Sequence, residues 1–344
     1  MTERKLARIA QISAIKPIPN ADAIECAVVE NGWEVVIRKG EYVPGDTAIY
    51  CEIDSWIPHE LAPFLSKNGV PREYNGVKGE RLRTVKLRGQ ISQGLLLPVE
   101  KVFFRDPGTD VTAVLGIQKY EPPIPACLSG DVEGVFPSFI PKTDQERCQN
   151  LHDEIFSEHH DEVYEVTIKL DGTSCTIFHL DGKIGVCGRN WQLRETEGNT
   201  LWRCARTQGL IDGLEVLGYN MALQGEVIGE GIQGNQEGLK GQHFYLYDIY
   251  DIDAKRYLTP DEREGIVAQL KNTCPSIRLL HVPILGVNSR VLVSEHISDM
   301  QSLLKLAEGP SLNEKVQREG LVFKSCDTPF TFKVISNRWL LKNE

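Results

Sequence analysis

The sequence predicts an α+β protein in which a small β-barrel precedes a second domain of antiparallel sheets and helices. Short strand-like segments separated by turn clusters fill residues 7–100, whereas later residues alternate strands with amphipathic helices. The proline- and glycine-rich stretch EPPIPACLSGDVEG separates the two regions. A chain of 344 residues is long enough for two separate cores. We therefore expect a first domain over 1–120, a linker over 121–135 and a second domain over 136–344.

The first domain is predicted from segments such as IAQISAIKPI, ECAVVENGWEVVIRKG and DTAIYCEI, with turn clusters between them. Short strands at this spacing are typical of small barrels, and the OB fold is a barrel of this kind that binds nucleic acid. One stretch, KGERLRTVKLRG, carries five basic residues and one acidic residue. It is either a solvated strand pair or a stripe that contacts phosphates. The candidate nucleic-acid contacts in it are Arg81, Arg83, Lys86 and Arg88.

The net charge of −10 argues weakly against a nucleic-acid partner, but the charge is unevenly distributed. Residues 1–125 hold 16 basic and 16 acidic residues, whereas the remainder holds 22 basic and 32 acidic ones. All of the acidic excess therefore lies in the second part of the chain. These acidic residues either hold a divalent metal or form ordinary surface.

Cysteine usage and the terminal sequence bear on the compartment. The nine cysteines include no C-x-x-C pair, so neither a zinc site nor a disulfide framework is expected. The charged N-terminus lacks the apolar segment of a signal peptide, and no run is long enough to cross a membrane. We expect an intracellular protein, in the cytoplasm or nucleus, without a membrane partner.

In the second domain, EVTIKLDGTSCTIF reads as two strands around an Asp-Gly turn, which predicts a β-hairpin. In a plain hairpin Lys169 would be a solvated strand residue. NTLWRCARTQGLIDGLEVL and SEHISDMQSLLKLAEG read as helices, and TPDEREGIVAQLKNT as a helix capped by Thr259. GLVFKS and FTFKVIS read as closing strands.

Several segments of this domain resemble, in order, the nucleotidyltransferase motifs of ATP-dependent polynucleotide ligases. These segments are KLDGTS (169–174), GRN (188–190), LQGEVIGEGIQG (223–234), FYLYDI (244–249), REGLVFKS (318–325) and FKVIS (332–336). One K-x-D-G string is a weak signal, but the ordered set is specific. The stretch FIPKTDQERCQN and the N-terminal barrel resemble the RNA-ligase family in which an OB domain precedes the transferase domain, counted as the fifth. This resemblance implies an ATP-grasp-like adenylylation domain.

The resemblance also implies a role for each matched residue. Lys169 would be the nucleophile that carries AMP. Tyr247 matches the aromatic residue that stacks on adenine, although phenylalanine is common there and a core aromatic is the alternative. The implied nucleotide-binding residues are Arg147, Ile168, Arg189, Glu226, Tyr247, Lys324 and Lys333. The implied metal ligands are Asp171, Glu226 and Glu319.

The chemistry of these residue types supports the same roles. A lysine amine can attack the α-phosphorus of ATP only when it is neutral, and neutralising a free lysine at pH 7 costs about 4.6 kcal/mol. Three nearby carboxylates favour the ammonium and so raise this cost, whereas a divalent cation bound to them lowers the pKa of the lysine. We therefore expect ATP as the substrate and Mg²⁺ or Mn²⁺ as the cofactor.

The sequence thus predicts an ATP-dependent RNA ligase, expected to be a monomer, that joins 3′-hydroxyl and 5′-phosphate ends at nicks in duplexes. One alternative is a DNA ligase or a GTP-dependent capping nucleotidyltransferase. Few residues follow the last motif, so we expect no C-terminal barrel of the kind that capping enzymes carry. Another alternative is a non-catalytic RNA-binding protein, because IKPIPNADAIECAVV resembles the start of tRNA-binding OB domains.

Overall fold

The computed structural model describes residues 4–121 and 131–343. The chain divides into two units, one of Met1–Pro123 with Leu340–Glu344 and the other of Ile124–Trp339. Most of the stretch predicted as a linker, residues 122–130, lies outside the described residues. Within the described ranges, no helix combines the length and the apolar composition that a membrane crossing requires.

The first unit combines strands with loops and short 3-10 helices. The strands are β1 (Ala7–Pro17), β2 (Ile24–Val29), β3 (Trp33–Arg38), β4 (Thr47–Cys51), β5 (Ser55–Pro58), β6 (Arg72–Tyr74), β7 (Val77–Arg81), β8 (Val85–Leu87), β9 (Gln90–Ser92), β10 (Leu95–Pro98) and β11 (Gln118–Lys119). An antiparallel sheet has the order β10-β4-β1-β2-β3, and a second sheet has the order β11-β5-β7-β6. β8 and β9 form a separate hairpin.

The first sheet curls until its two edges meet. Gln93, two residues before β10, donates its amide to the carbonyl of Glu34 on β3 at 2.7 Å. The amide of Val36 donates to Ser92 Oγ at 3.0 Å. Ser92 ends β9 and Gln93 lies between β9 and β10, so these bonds join β3, one edge of the sheet, to the segment that leads into β10, the opposite edge. The sheet thereby closes into the barrel that the strand spacing predicted. Inside the barrel, Trp33 is fully buried.

The second unit contains two larger sheets and several α-helices. Its strands are β12 (Val132–Val135), β13 (Glu146–Arg147), β14 (Tyr164–Lys169), β15 (Thr173–Leu180), β16 (Lys183–Cys187), β17 (Trp191–Leu193), β18 (Met221–Gly229), β19 (Gln242–Asp251), β20 (Arg256–Tyr257), β21 (Leu280–His281), β22 (Ile284–Ser289), β23 (Gly320–Ser325) and β24 (Thr331–Ile335). The helices are α1 (Thr200–Thr207), α2 (Leu210–Leu217), α3 (Pro260–Thr273), α4 (Val291–Ser294), α5 (Met300–Leu306) and, at the C-terminal end, α6 (Asn337–Asn343).

Two sheets organise these strands. The eight-stranded sheet has the order β12-β17-β16-β15-β18-β19-β20, with β21 added beside β19. The five-stranded sheet has the order β13-β24-β23-β14-β22. β12 lies within the stretch predicted as a linker, where its pairing with β17 makes it an edge strand.

The predicted hairpin around the Asp-Gly pair is wrong. β14 pairs with β22 and β23, whereas β15 pairs with β16 and β18, so residues 170–172 cross from one sheet to the other. Gly172 allows this crossing because a Cβ there would lie 2.5 Å from Ile228 Cγ2 and from the carbonyl oxygen of Val227. The glycine is therefore required for close packing against β18, and not for a hairpin turn.

The helices differ from the prediction at two breaks. The stretch predicted as one helix is divided into α1 and α2 at Gly209, whose φ is +69°. In the stretch 294–309, also predicted as one helix, residues 295–299 are not helical, because α4 ends at Ser294 and α5 begins at Met300. The predicted cap of α3 is confirmed, since Thr259 and Glu262 form a reciprocal capping box. α1, α2 and α3 pack against the eight-stranded sheet, while α5 packs against the five-stranded sheet.

Candidate active site

A cleft with a volume of about 400 Å³ lies between the two sheets of the second unit. Its lining comes from residues 143–145, from the end of β14 and the crossing that follows it, and from β18, β19, β23 and β24. The crossing therefore brings side chains from both sheets together in this cleft. Lys169, at the end of β14, lines this cleft together with Asp171, Glu226 and Glu319.

Lys169 is paired with a carboxylate. Its Nζ lies 2.6 Å from Glu319 Oε2, and its side chain, 29% exposed, lines the cleft. Glu319 reaches this position because it immediately precedes β23, where Gly320 lies opposite Lys169. A Cβ on Gly320 would lie 2.1 Å from the carbonyl oxygen of Val334, so only glycine allows β24 to pack this closely.

The protonation behaviour of the cluster reflects three acids around one amine. Burial alone would lower the pKa of Lys169, but Glu319, Glu226 and Asp171 together outweigh burial and raise it. Burial raises the pKa of Glu226 to about 8, with Lys169 opposing the shift and the other two acids adding to it. Burial and the nearby Glu319 raise the pKa of Asp171 to about 6. One ammonium therefore does not neutralise the cluster.

The chemistry of this cluster suits a divalent cation. Carboxylate oxygens are the ligands that Mg²⁺ and Mn²⁺ prefer. The raised carboxyl pKa values reflect burial first and neighbouring negative charge second, and a bound cation would offset both. Across residues 4–121 and 131–343, however, no three His, Cys, Asp or Glu side chains are already arranged to hold a metal ion. The negatively charged carboxylates repel one another, and Glu319 contacts the ammonium of Lys169. The cluster thus provides ligand types without a preassembled coordination sphere.

The residues predicted to bind the base and phosphates also line the cleft, with one exception. Tyr247 Oη forms a hydrogen bond with Thr143 Oγ1 at 2.8 Å. Lys324 donates from Nζ to Asp248 Oδ1 at 2.8 Å, and the same Nζ lies 5.6 Å from the centroid of the Tyr247 ring. Arg189 and Lys333 each lie 3.4 Å from Asp144 Oδ1. These cations line the same cleft as Lys169.

Arg147 is the exception, since it is not among the residues that line the cleft. It lies on β13, opposite Lys333 of β24, so its backbone is next to a lining residue. Ile168 lines the cleft beside Lys169, and its amide donates to the carbonyl of Pro283 at 2.9 Å.

The structure adds two cleft contacts that the sequence analysis missed. Gln236 Nε2 donates to Asp171 Oδ2 at 3.1 Å, and Gln233 Nε2 donates to the carbonyl of Gly172 at 3.3 Å. Both glutamines lie on the loop between β18 and β19, in which Gly231, Gly234 and other glycines adopt positive φ. The glycine-rich sequence GEGIQGNQEGLKG was the available signal, because such loops commonly approach ligands closely.

In the first unit, the candidate nucleic-acid contacts fall into two groups. Arg81 pairs with Asp54, and its guanidinium lies 5.0 Å from the centroid of Tyr120, so its charge is already neutralised. Arg83, Lys86 and Arg88 form the second group and are exposed. Lys86 donates a hydrogen bond to the carbonyl of Leu341 in the same unit. Arg88 lies in the β8–β9 turn with a φ of +52°.

Family models and solved structures of known proteins match both units of this chain. A family model of an OB-fold domain matches residues 6–99, and the RNA ligase family model matches residues 162–335. The chain is 50% identical to a Naegleria gruberi RNA ligase variant solved with AMP and Mn, covering 98% of this chain and 99% of that chain, with a TM-score of 0.83. A structure of the Naegleria gruberi ligase with PPi gives 50% identity, 99% coverage of both chains and a TM-score of 0.82.

A variant of the same Naegleria gruberi ligase solved with ATP and Mn also matches, with 50% identity, coverage of 98% of this chain and 99% of that chain, and a TM-score of 0.83. No match was found among curated proteins. These matches confirm the predicted fold class, with an OB-fold domain before a domain of sheets and helices.

Proposed function

The chain belongs to the RNA ligase family, and we propose that it uses ATP to join 3′-hydroxyl and 5′-phosphate RNA ends at nicks in duplexes. The observation that carries this proposal is that Lys169 lines a cleft together with three carboxylates and the cations Lys324 and Lys333. An amine nucleophile, acidic metal ligands and phosphate-binding cations are the groups that transfer of AMP from ATP requires.

In the first step, Lys169 Nζ attacks the α-phosphorus of ATP. The ammonium first loses one proton to solvent. The neutral amine then forms the P–N bond as the bond from the α-phosphorus to the bridging oxygen breaks and pyrophosphate leaves, and the nitrogen loses a second proton to solvent, which leaves a P–NH linkage. Glu319 accepts a hydrogen bond from Nζ at 2.6 Å and so orients the amine before attack. Tyr247 stacks on the adenine, and Ile168 lies beside the base.

The cations of the cleft stabilise the charge that develops on phosphate oxygens. Lys324 and Lys333 contact the α-phosphate, and Arg147 contacts the departing pyrophosphate, for which a planar guanidinium offers two parallel donors. A divalent cation held by Asp171, Glu226 and Glu319 would supply the positive charge that lowers the pKa of Lys169. Gln236 holds the carboxylate of Asp171 in place through its hydrogen bond.

In the later steps, a 5′-phosphate oxygen attacks the lysyl-AMP phosphorus, the P–N bond breaks, and the lysine nitrogen takes up from solvent the two protons that it lost in the first step. A 3′-hydroxyl then attacks the adenylylated 5′-phosphate, forms the phosphodiester and releases AMP. Arg189 supports binding of the 5′-phosphate, because its side chain is 65% exposed and lines the cleft.

The test is sealing of matched nicked duplexes that differ only in the sugar at the nick. We expect sealing with ATP, and not with GTP, when both ends at the nick are RNA. Equal sealing of an all-DNA nick would favour a DNA ligase, and covalent labelling by GTP would favour a capping enzyme. Tight RNA binding without label or product would favour a non-catalytic RNA-binding protein.

A further inference from the structure

We propose that Lys142, held by the β16–β17 turn, contacts the RNA phosphodiester that follows the reacting 5′-phosphate, just outside the cleft. The proposal rests on the proposed function, because it identifies where the strand that enters the cleft is held. It adds an RNA-binding residue on the second unit, whereas the sequence indicated candidate nucleic-acid contacts only in the first domain.

Two segments meet at one rim of the cleft. Arg189 and Asn190 form the turn between β16 and β17, closed by a hydrogen bond from the amide of Gly188 to the carbonyl of Trp191 at 3.0 Å. Arg189 lines the cleft, and so does Thr143 of the facing segment. The residues next to them, Asn190 and Lys142, are joined by a 3.0 Å hydrogen bond from Lys142 Nζ to Asn190 Oδ1. This pair therefore lies immediately outside the rim.

The facing segment is fixed in this position by further bonds. The amide of Phe136 donates to the carbonyl of Asn190 at 3.0 Å, and Lys142 Nζ lies 5.9 Å from the centroid of the Phe136 ring. Gln224 Nε2 donates to the carbonyl of Pro141 at 2.9 Å. Lys142 is thus presented from a braced segment, which reduces the conformational entropy that binding must remove.

The charge of Lys142 is available for a phosphate. Within the part of the chain that the structure describes, Lys142 is exposed and forms no ion pair, and its partner Asn190 is neutral. The neighbouring cations Arg189 and Lys333 both approach the carboxylate of Asp144. A 5′-phosphate that receives AMP must reach Lys169 in the cleft, so the next phosphate of the same strand passes its rim. The ammonium of Lys142, held at that rim by the side-chain amide of Asn190, is suited to bind this phosphate.

The experiment compares Lys142→Ala with the wild-type protein, using a nicked RNA duplex and a second duplex whose first donor-strand linkage is a neutral methylphosphonate. Lys183→Ala is the matched control, because Lys183 is an exposed lysine at the opposite end of β16. We expect Lys142→Ala to weaken binding of the normal nick roughly two- to fivefold, the range for an exposed ion pair. The salt dependence should fall by about 0.7 to 0.9 of a unit of slope.

The methylphosphonate isolates the contact. The neutral linkage should weaken RNA binding by the wild type and by Lys183→Ala, but it should not change RNA binding by Lys142→Ala. Lys142→Arg should bind both duplexes as the wild type does. Lysyl-AMP formation from ATP should be the same in all variants, since the contact acts only on RNA. The proposal is overturned if Lys142→Ala behaves like Lys183→Ala, or if the neutral linkage weakens binding by Lys142→Ala as much as by the wild type. A wild-type protein that forms lysyl-AMP but seals no RNA would instead overturn the proposed function, and this proposal with it.

Discussion

At the residue scale, Lys169 is surrounded by carboxylates that favour its protonated form. Glu319 contacts the amine directly, and Glu226 and Asp171 add further negative charge, so the pKa of Lys169 lies above its ordinary value. A lysine held as an ammonium cannot attack phosphorus. Under the proposed function, the amine therefore needs additional positive charge in the cleft before it can attack. This interpretation makes the acids part of a cation-dependent site.

The raised carboxyl pKa values lead to a prediction about pH. A cation binds the ionised carboxylates, so it must displace protons from Asp171, whose pKa is about 6, and Glu226, whose pKa is about 8. As pH rises from 6 to 8, these groups lose their protons, so the affinity for Mn²⁺ should rise. Where the groups are still protonated, Mn²⁺ binding should release protons to the buffer. Calorimetry in buffers of different ionisation enthalpy measures both quantities.

Glu226→Gln provides the control for this measurement, because it removes the group with the higher pKa while keeping its size. It should flatten the pH dependence above pH 7. Equal Mn²⁺ affinity at pH 6 and pH 8, with no proton released to the buffer, would contradict the electrostatic description of the cluster.

At the scale of elements, the sequence predicted strands and helices better than it predicted their partners. β14 and β15 were both expected, but the Asp-Gly signal describes only a local turn. The partners of these strands depend instead on packing of Gly172 against β18, which is a contact distant in sequence. The same reason explains α1 and α2, which are separated by the positive φ of Gly209 within one amphipathic stretch.

The anchoring of α3 gives an element-scale prediction. Arg263 of this helix pairs with Glu165 of β14, and their side chains are 4% and 0% exposed. Arg263→Ala leaves a buried carboxylate without its partner, so we expect a loss of about 3–5 kcal/mol in the free energy of unfolding. The capping variant Thr259→Ala should cost only about 1 kcal/mol. Urea unfolding of both variants measures the difference, and similar losses would show that the buried pair is not the main anchor.

At the scale of the whole molecule, chemistry and charge are divided between the two units. The motif residues that line the cleft lie in the second unit, which carries the acidic excess. The exposed cations Arg83 and Arg88 lie in the first. The sequence predicted this division because motif order and charge are properties of the chain itself. It did not predict that Leu340–Glu344 belong with the first unit, or that Arg81 is engaged by Asp54, because both depend on tertiary contacts.

This division predicts that adenylylation and sealing can be separated. A fragment of residues 131–344 should still form lysyl-AMP, but it should seal nicks poorly, because it lacks the basic stretch of the first unit. Adenylylation and nick sealing should be measured on the same preparation, with circular dichroism to verify its folding. Sealing at the full-length rate by the folded fragment would show that the first unit does not serve substrate binding.

The central claim is that Lys169 carries AMP during the reaction. The most direct measurement is incubation with labelled ATP and Mn²⁺, followed by peptide mapping of the label in the wild type and in Lys169→Ala. The account predicts acid-labile AMP on Lys169, no label in the variant, and residual sealing by the variant of a nick that is already adenylylated. Label on another residue, or equal labelling of Lys169→Ala, would contradict it.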